Sequence, residues 1–111
     1  MDLATAIFCA SLVMPPSVVA NAVDIAHGNR APSYTDCTGC IGLTTVDEQG
    51  HITVTARSAD YVTMIHEACH VIQITAKLRR GEDPHDSDAD ERQCYAAERE
   101  APARYYVCSH N

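Results

Sequence analysis

Hydrophobic and polar positions follow different rhythms along the chain. Leu3 to Met14 is a mostly apolar run of twelve, closed by Pro15 and Pro16. From Ala31 to Gly39 no period survives, because Pro32, Ser33, Asp36 and Gly39 break any repeat, and the stretch reads as turn. Cys40 to Val46 and His51 to Ala56 then read as two strands, the second alternating Ile52, Val54 and Ala56 against Thr53 and Thr55. Asp47-Glu48-Gln49-Gly50 joins them as a hairpin loop. After Ser58 as N-cap, Ala59 to Arg80 is apolar on nearly every side, which predicts a buried helix. Arg79 and Arg80 suit its C-terminal dipole, and Gly81 follows at C′. Glu82 to Ala89 is an acidic loop. A last helix starts near Asp88, with Ser87 and Asp90 as a capping box, and ends between Pro102 and Tyr106. The expected class is α+β, a small antiparallel sheet packed on two helices, in a single domain over residues 23–111.

Residues 1–22 have two readings. An apolar run followed by Ala20-Asn21-Ala22, a small-x-small triplet, has the order of a secretory signal, although Met1-Asp2 supplies no positive n-region. The other reading is two short helices, the second from Pro16 to His27 with Gly28 as its cap. The run is too short to span a membrane permanently, since ~20 apolar residues are needed.

Composition narrows the function classes. Eight Lys and Arg against fifteen Asp and Glu leave a formal charge of -7, which argues against nucleic-acid binding, since that needs cationic surface to displace counterions. Six cysteines in 111 residues fit an oxidising compartment and lean the chain toward export, periplasmic or secreted, over the cytoplasm. Loss of a signal would remove Cys9 and leave Cys37, Cys40, Cys69, Cys94 and Cys108, an odd number.

The chemistry concentrates in His66-Glu67-Ala68-Cys69-His70, an H-E-x-x-H motif inside the buried helix. A scrambled chain would contain this pattern only about twice in a hundred trials, so it outweighs the other short motifs here. Histidines four apart project ~40° from one another on one helical face, so both imidazoles reach one Zn2+ ion. Glu67, beside them, can act as general base toward a water activated by the metal. The third ligand must come from elsewhere, because Gln73 and Ala76 stand where a metzincin needs Gly and His. Glu91 and Glu98 lie seven apart on one face of the last helix. If the first helix runs ten residues past His70 and the second returns antiparallel, its tenth residue regains the level of His70, which favours Glu98. Glu91 would then lie ~10 Å away along the axis and is the alternative, with Asp86, Asp88 and Asp90 behind it.

His66 to Gln73, the hairpin upstream and Cys94-Tyr95-Ala96-Ala97-Glu98-Arg99-Glu100-Ala101 together resemble the minimal gluzincins, small zinc metallopeptidases in which H-E-x-x-H precedes a helical Glu. Among these, short exported bacterial proteins with a Cys four before that Glu are the most similar. The resemblance covers residues 40 to 106. It implies a minimal zincin-like fold with an active-site helix and a second ligand-bearing helix, His66, His70 and Glu98 on zinc, Glu67 as base, and an extended peptide substrate. Pro102 stands four after Glu98, where larger gluzincins carry an Asp that orients the first His.

Weaker signals fill in the rest. The strand His51 to Ala56 could accept an extended peptide along an exposed edge, and a covered edge there would weaken the peptidase reading. Tyr95, Tyr105 and Tyr106 are candidate oxyanion donors, against a default role in packing. Cys37 or Cys40 could pair with Cys94 or Cys108, or Cys37, Cys40, Cys108 and His110 could hold a second metal. Cys69 reads as a small buried residue. Asp86 to Glu91 lacks the Gly and terminal Glu of an EF-hand and reads as a solvated acidic loop. The alternative to an enzyme is a non-catalytic metal-binding or disulfide-stapled binding module.

Overall fold

A computed structural model describes residues 1–20 and 31–109. The proposed cap at Gly28, the end of the second helix at His27, the Asn21-Ala22 part of the triplet and His110 lie outside the described residues. The elements are α1 (Leu3–Ser11), α2 (Pro16–Ala20), β1 (Ser33–Asp36), β2 (Leu43–Val46), β3 (Ile52–Ala56), α3 (Tyr61–Arg79) and α4 (Asp88–Arg104), closed by a 3-10 turn at Tyr106–Ser109. The class is α+β.

The sheet is mixed, which corrects the expected antiparallel one. Its order is β1-β3-β2, with β2 antiparallel and β1 parallel to β3. The hairpin turn is held by Asp47, whose Oδ1 accepts from the backbone N–H groups of Gln49 and His51, both at 2.9 Å, with Gly50 at φ 78°. β3 alternates as its sequence requires, burying Ile52, Val54 and Ala56. β1 falls in the stretch read as turn. Ser-Tyr-Thr-Asp has no buried face of its own; its strand conformation comes from pairing with β3, and Tyr34 Oη donates to the Ala56 carbonyl at 2.9 Å. β3 is therefore central, and the expectation that its edge is open to a peptide is overturned. Among the described residues it is the outer edges of β1 and β2 that pair with no strand.

α3 is the spine of the molecule. It packs on α1, α4 and the sheet and buries residues on every side, among them Met64, Ile65, Val71 and Ile72. Its N-cap is Asp60, which accepts from Thr63 N, whereas Ser58 instead binds Asp36 through its backbone N and hydroxyl. Gly81, at φ 69°, ends the helix in the left-handed conformation. α4 opens with the Ser87/Asp90 capping box and passes through Pro102 to Arg104. α1 is a core element, burying Leu3, Ala6, Ile7, Cys9 and Ala10. No helix of the described residues is long and apolar enough to cross a membrane.

The cysteines pair differently from the expected links between the hairpin and the last helix. Cys9 bonds Cys108, Cys37 bonds Cys40, and Cys69 bonds Cys94. The sequence cannot rank these pairs, because each depends on which segments the core brings together. With Cys37, Cys40 and Cys108 in disulfides, the thiolates needed for a second metal site are consumed, and Cys69 is a cross-link instead of a lone buried residue.

Candidate metal centre

Both histidines of the motif are buried on α3, and their Nε2 atoms approach to 3.2 Å, as a spacing of one helical turn requires. The carboxylate that joins them is Glu91, with Oε1 2.6 Å from His66 Nε2 and Oε2 3.3 Å from His70 Nε2. One ligand atom from each of His66, His70 and Glu91 lies within 4.8 Å of the other two. Ligand atoms bound tetrahedrally ~2.0 to 2.1 Å from Zn2+ stand about 3.3 Å apart; the separations of 3.2 and 3.3 Å match this, and the 2.6 Å contact between His66 and Glu91 would have to widen, so the donor set could hold a zinc-sized ion.

Glu98 occupies a different place from the one the helix-level argument assigned it. Its Oε1 lies 2.8 Å from His66 Nδ1, on the far side of the ring from Glu91. The level argument fails at the loop between the helices, which does not simply turn at the end of α3. Lys77 Nζ donates to the His85 carbonyl at 3.0 Å and pairs with Asp90, drawing the loop back along α3. The first turn of α4 therefore reaches the Nε2 atoms of both histidines, while its third turn meets only Nδ1 of His66. Glu98 thus stands as a carboxylate against the outer nitrogen of the first His, where Pro102 offers none.

The outer partners also hold the two rings. Glu98 is placed to accept from His66 Nδ1, while His66 Nε2 lies at hydrogen-bond distance from Glu91, the position a cation would take over from the shared proton. Gln73 uses its amide nitrogen to donate to the Asp90 carbonyl at 3.0 Å and to Gln93 Oε1 at 2.7 Å. Its Oε1 is thereby turned to His70 Nδ1 at 3.1 Å, with Asp86 Oδ1 at 3.3 Å from the same nitrogen. Gln73 and Asp86 thus hold the outer nitrogen of His70, and its Nε2 is the atom turned toward Glu91 and His66. Asp90, by contrast, is engaged with Lys77. Burial pushes the Glu91 carboxyl up, but the charge on His70 and the hydrogen bond and charge of His66 outweigh it and hold the group below its ordinary range.

Glu67 is buried one residue along, out of the ligand triangle. Thr44 Oγ1 on β2 donates to its Oε1 at 2.8 Å. Gly42 lies flush against its other side: a Cβ there would come 2.9 Å from both Glu67 Cγ and Oε2 and 2.6 Å from Thr63 Cγ2. Only glycine allows this approach.

Glu67 and the ligand triangle open onto a cavity of about 540 Å³, walled by residues 40–44 on one side and by Asp60, Thr63, Asp86, Glu91, Tyr95 and Glu98 on the other. Of the three tyrosines, Tyr95 lines it, its ring edge-on to His66 with centroids 4.7 Å apart, while Tyr105 and Tyr106 do not. Thr44, Gly42 and Gln73 are contributors that sequence reading missed. Gln73 carried a signal, standing one turn after His70; the other two are joined to the site only by the fold. No protein-family model, no curated protein and no solved structure matches this chain.

Proposed function

We propose that the chain is a zinc-dependent metallohydrolase of the minimal gluzincin type, with a zincin-like arrangement of its helices, acting on peptide bonds. His66, His70 and Glu91 are its ligands and Glu67 is its general base. The reading rests above all on the convergence of two Nε2 atoms and the Glu91 carboxylate beside an open cavity. Zinc bound there would supply Lewis acidity, acidifying a water and polarising the substrate carbonyl.

The remaining steps belong to the chain itself. Glu67 takes the proton of the attacking water and delivers it to the leaving amine. Thr44 occupies one of its oxygens, which leaves the second for that transfer. Glu98 and Gln73 keep both imidazoles in the tautomer that binds a cation. An extended peptide can add to the outer edge of β2, the strand that carries Thr44, by main-chain hydrogen bonds. Of the candidate oxyanion donors Tyr95 alone borders the cavity, and it is the one retained.

The test is zinc stoichiometry together with hydrolysis of an unbiased peptide library, for wild type and three variants. Wild type should bind one zinc and cut. Glu67→Ala should bind equally and not cut, and Glu91→Ala should lose the metal. Glu98→Ala should keep the site with about 10- to 100-fold weaker affinity, as loss of an outer partner does. If wild type and Glu67→Ala both hold zinc and neither cuts, the chain is a non-catalytic metal-binding module. If Glu98→Ala loses the metal and Glu91→Ala keeps it, the ligand set is wrong.

A further inference from the structure

The three disulfides differ in kind. Cys9, Cys108, Cys69 and Cys94 are all fully buried, and their bonds join residues 99 and 25 apart in sequence. Cys37 and Cys40 are only three apart, in the connection between β1 and β2, with Cys37 half-buried and Cys40 exposed. Thiol exchange needs a thiolate to reach a sulfur, so the buried pairs react only after the core opens, whereas Cys40 can be attacked in the native fold. A short loop also loses little chain entropy on closure, so the fold gains little from this bond and shields it little in return.

What the bond tethers is the rim of the cavity. Cys37 is anchored independently, its N–H donating to the Ala56 carbonyl at 3.1 Å. Cys40 lines the cavity, Ile41 beyond it is 93 % exposed, and Gly42 then seats against Glu67. Between the anchor at Cys37 and the seat at Gly42, the disulfide is the covalent restraint on the segment.

We propose that Cys37–Cys40 is a thiol-exchange site on the rim of the cavity, opened by a dithiol, and that its opening loosens Gly42 from Glu67. One thiolate of the reductant attacks the Cys40 sulfur and forms a mixed disulfide, and Cys37 leaves as a thiolate that takes up a proton. The second thiol of the reductant then attacks the mixed disulfide, releasing Cys40 as a thiol and the reductant as its cyclic disulfide. Two electrons and two protons pass to the protein. This inference goes beyond the metallohydrolase reading and does not depend on zinc.

The experiment treats the folded, oxidised full-length chain with graded dithiothreitol, traps thiols with N-ethylmaleimide, and maps them by mass spectrometry. Two labels, on Cys37 and Cys40, should appear about tenfold or more faster than any label on the other four cysteines. A single step from no labels to six, or a first pair at Cys69 and Cys94 or at Cys9 and Cys108, overturns the assignment. The double variant Cys37→Ser, Cys40→Ser should take no label under the same conditions; labelling of it overturns the assignment too, because the reductant is then opening the core. Hydrogen exchange before and after reduction reads the second half. Amides of residues 38–44 should exchange about tenfold faster while those of α3 hold, and unchanged exchange over 38–44 overturns the link to Gly42.

Discussion

The two helices that carry the site are held by different means. α3 buries twelve of its nineteen residues, both histidines and Glu67 among them, and its position follows from its own surface. α4 buries only Cys94, Ala97 and Ala101 of its seventeen. What fastens α4 is the Cys69–Cys94 disulfide, the Gln73 contacts with Asp90 and Gln93, and the Lys77–Asp90 pair. The imidazoles and Glu67 are thus placed by hydrophobic burial, and the Glu91 and Glu98 carboxylates are placed by cross-links. A perturbation of α3 should cost the fold, whereas one of α4 should first cost the geometry of the site.

The largest effect that would sharpen this contrast is expected from Met64→Ala. The side chain is fully buried in the hydrophobic core, and its loss should cost about 2 to 5 kcal/mol in denaturant unfolding. Below the transition the variant should still bind zinc as wild type does. Weakened metal binding in a fully folded Met64→Ala protein would break the contrast.

Next in size is the double variant Cys69→Ala, Cys94→Ala. Opening a loop with a sequence separation of 25 should cost roughly 3 kcal/mol, seen as a lower thermal midpoint. Here zinc affinity should fall even at temperatures where the protein is fully folded, because α4 is free to shift relative to α3. Unchanged affinity would mean that the polar contacts alone position Glu91.

The smallest effect concerns Asp90. Burial raises its carboxyl pKa, but the Lys77 hydrogen bond, the Ser87 backbone N–H and the Lys77 charge together lower it below the ordinary 3.8. A depressed folded-state pKa means that the stabilisation is present above the unfolded value and is lost as pH falls through the folded one. Acid should therefore loosen the first turn of α4 before α3. In Lys77→Ala the Asp90 carboxyl, followed by NMR, should titrate nearer 3.8, with about 1 kcal/mol of stability lost at neutral pH. An Asp90 that titrates at its ordinary value in wild type would remove the pair from the list of fasteners.

Features encoded over short distances could be read directly. The hairpin between β2 and β3, the buried α3 with Gly81 at its end, and the Ser87/Asp90 box each depend on residues within a turn or a few positions of one another. β1 was not legible, because Ser33 to Asp36 is a strand only while β3 lies beside it. The N-cap was misplaced by two residues because Ser58 and Asp60 both have capping side chains, and Asp36, distant in sequence, captures Ser58.

For the site the division is the same. A helix rotates about 100° per residue whatever surrounds it, so the sequence by itself determined that His66 and His70 share a face and that Glu67 stands beside them. Which carboxylate meets them was decided by the path of residues 80–87, and that path depends on Lys77 reaching His85 and Asp90. The cysteine pairs, the central position of β3, and the approach of Gly42 and Thr44 to Glu67 were likewise decided by tertiary structure. Each is a contact between segments whose separation in space is set by packing of the whole core, a quantity that no local spacing contains.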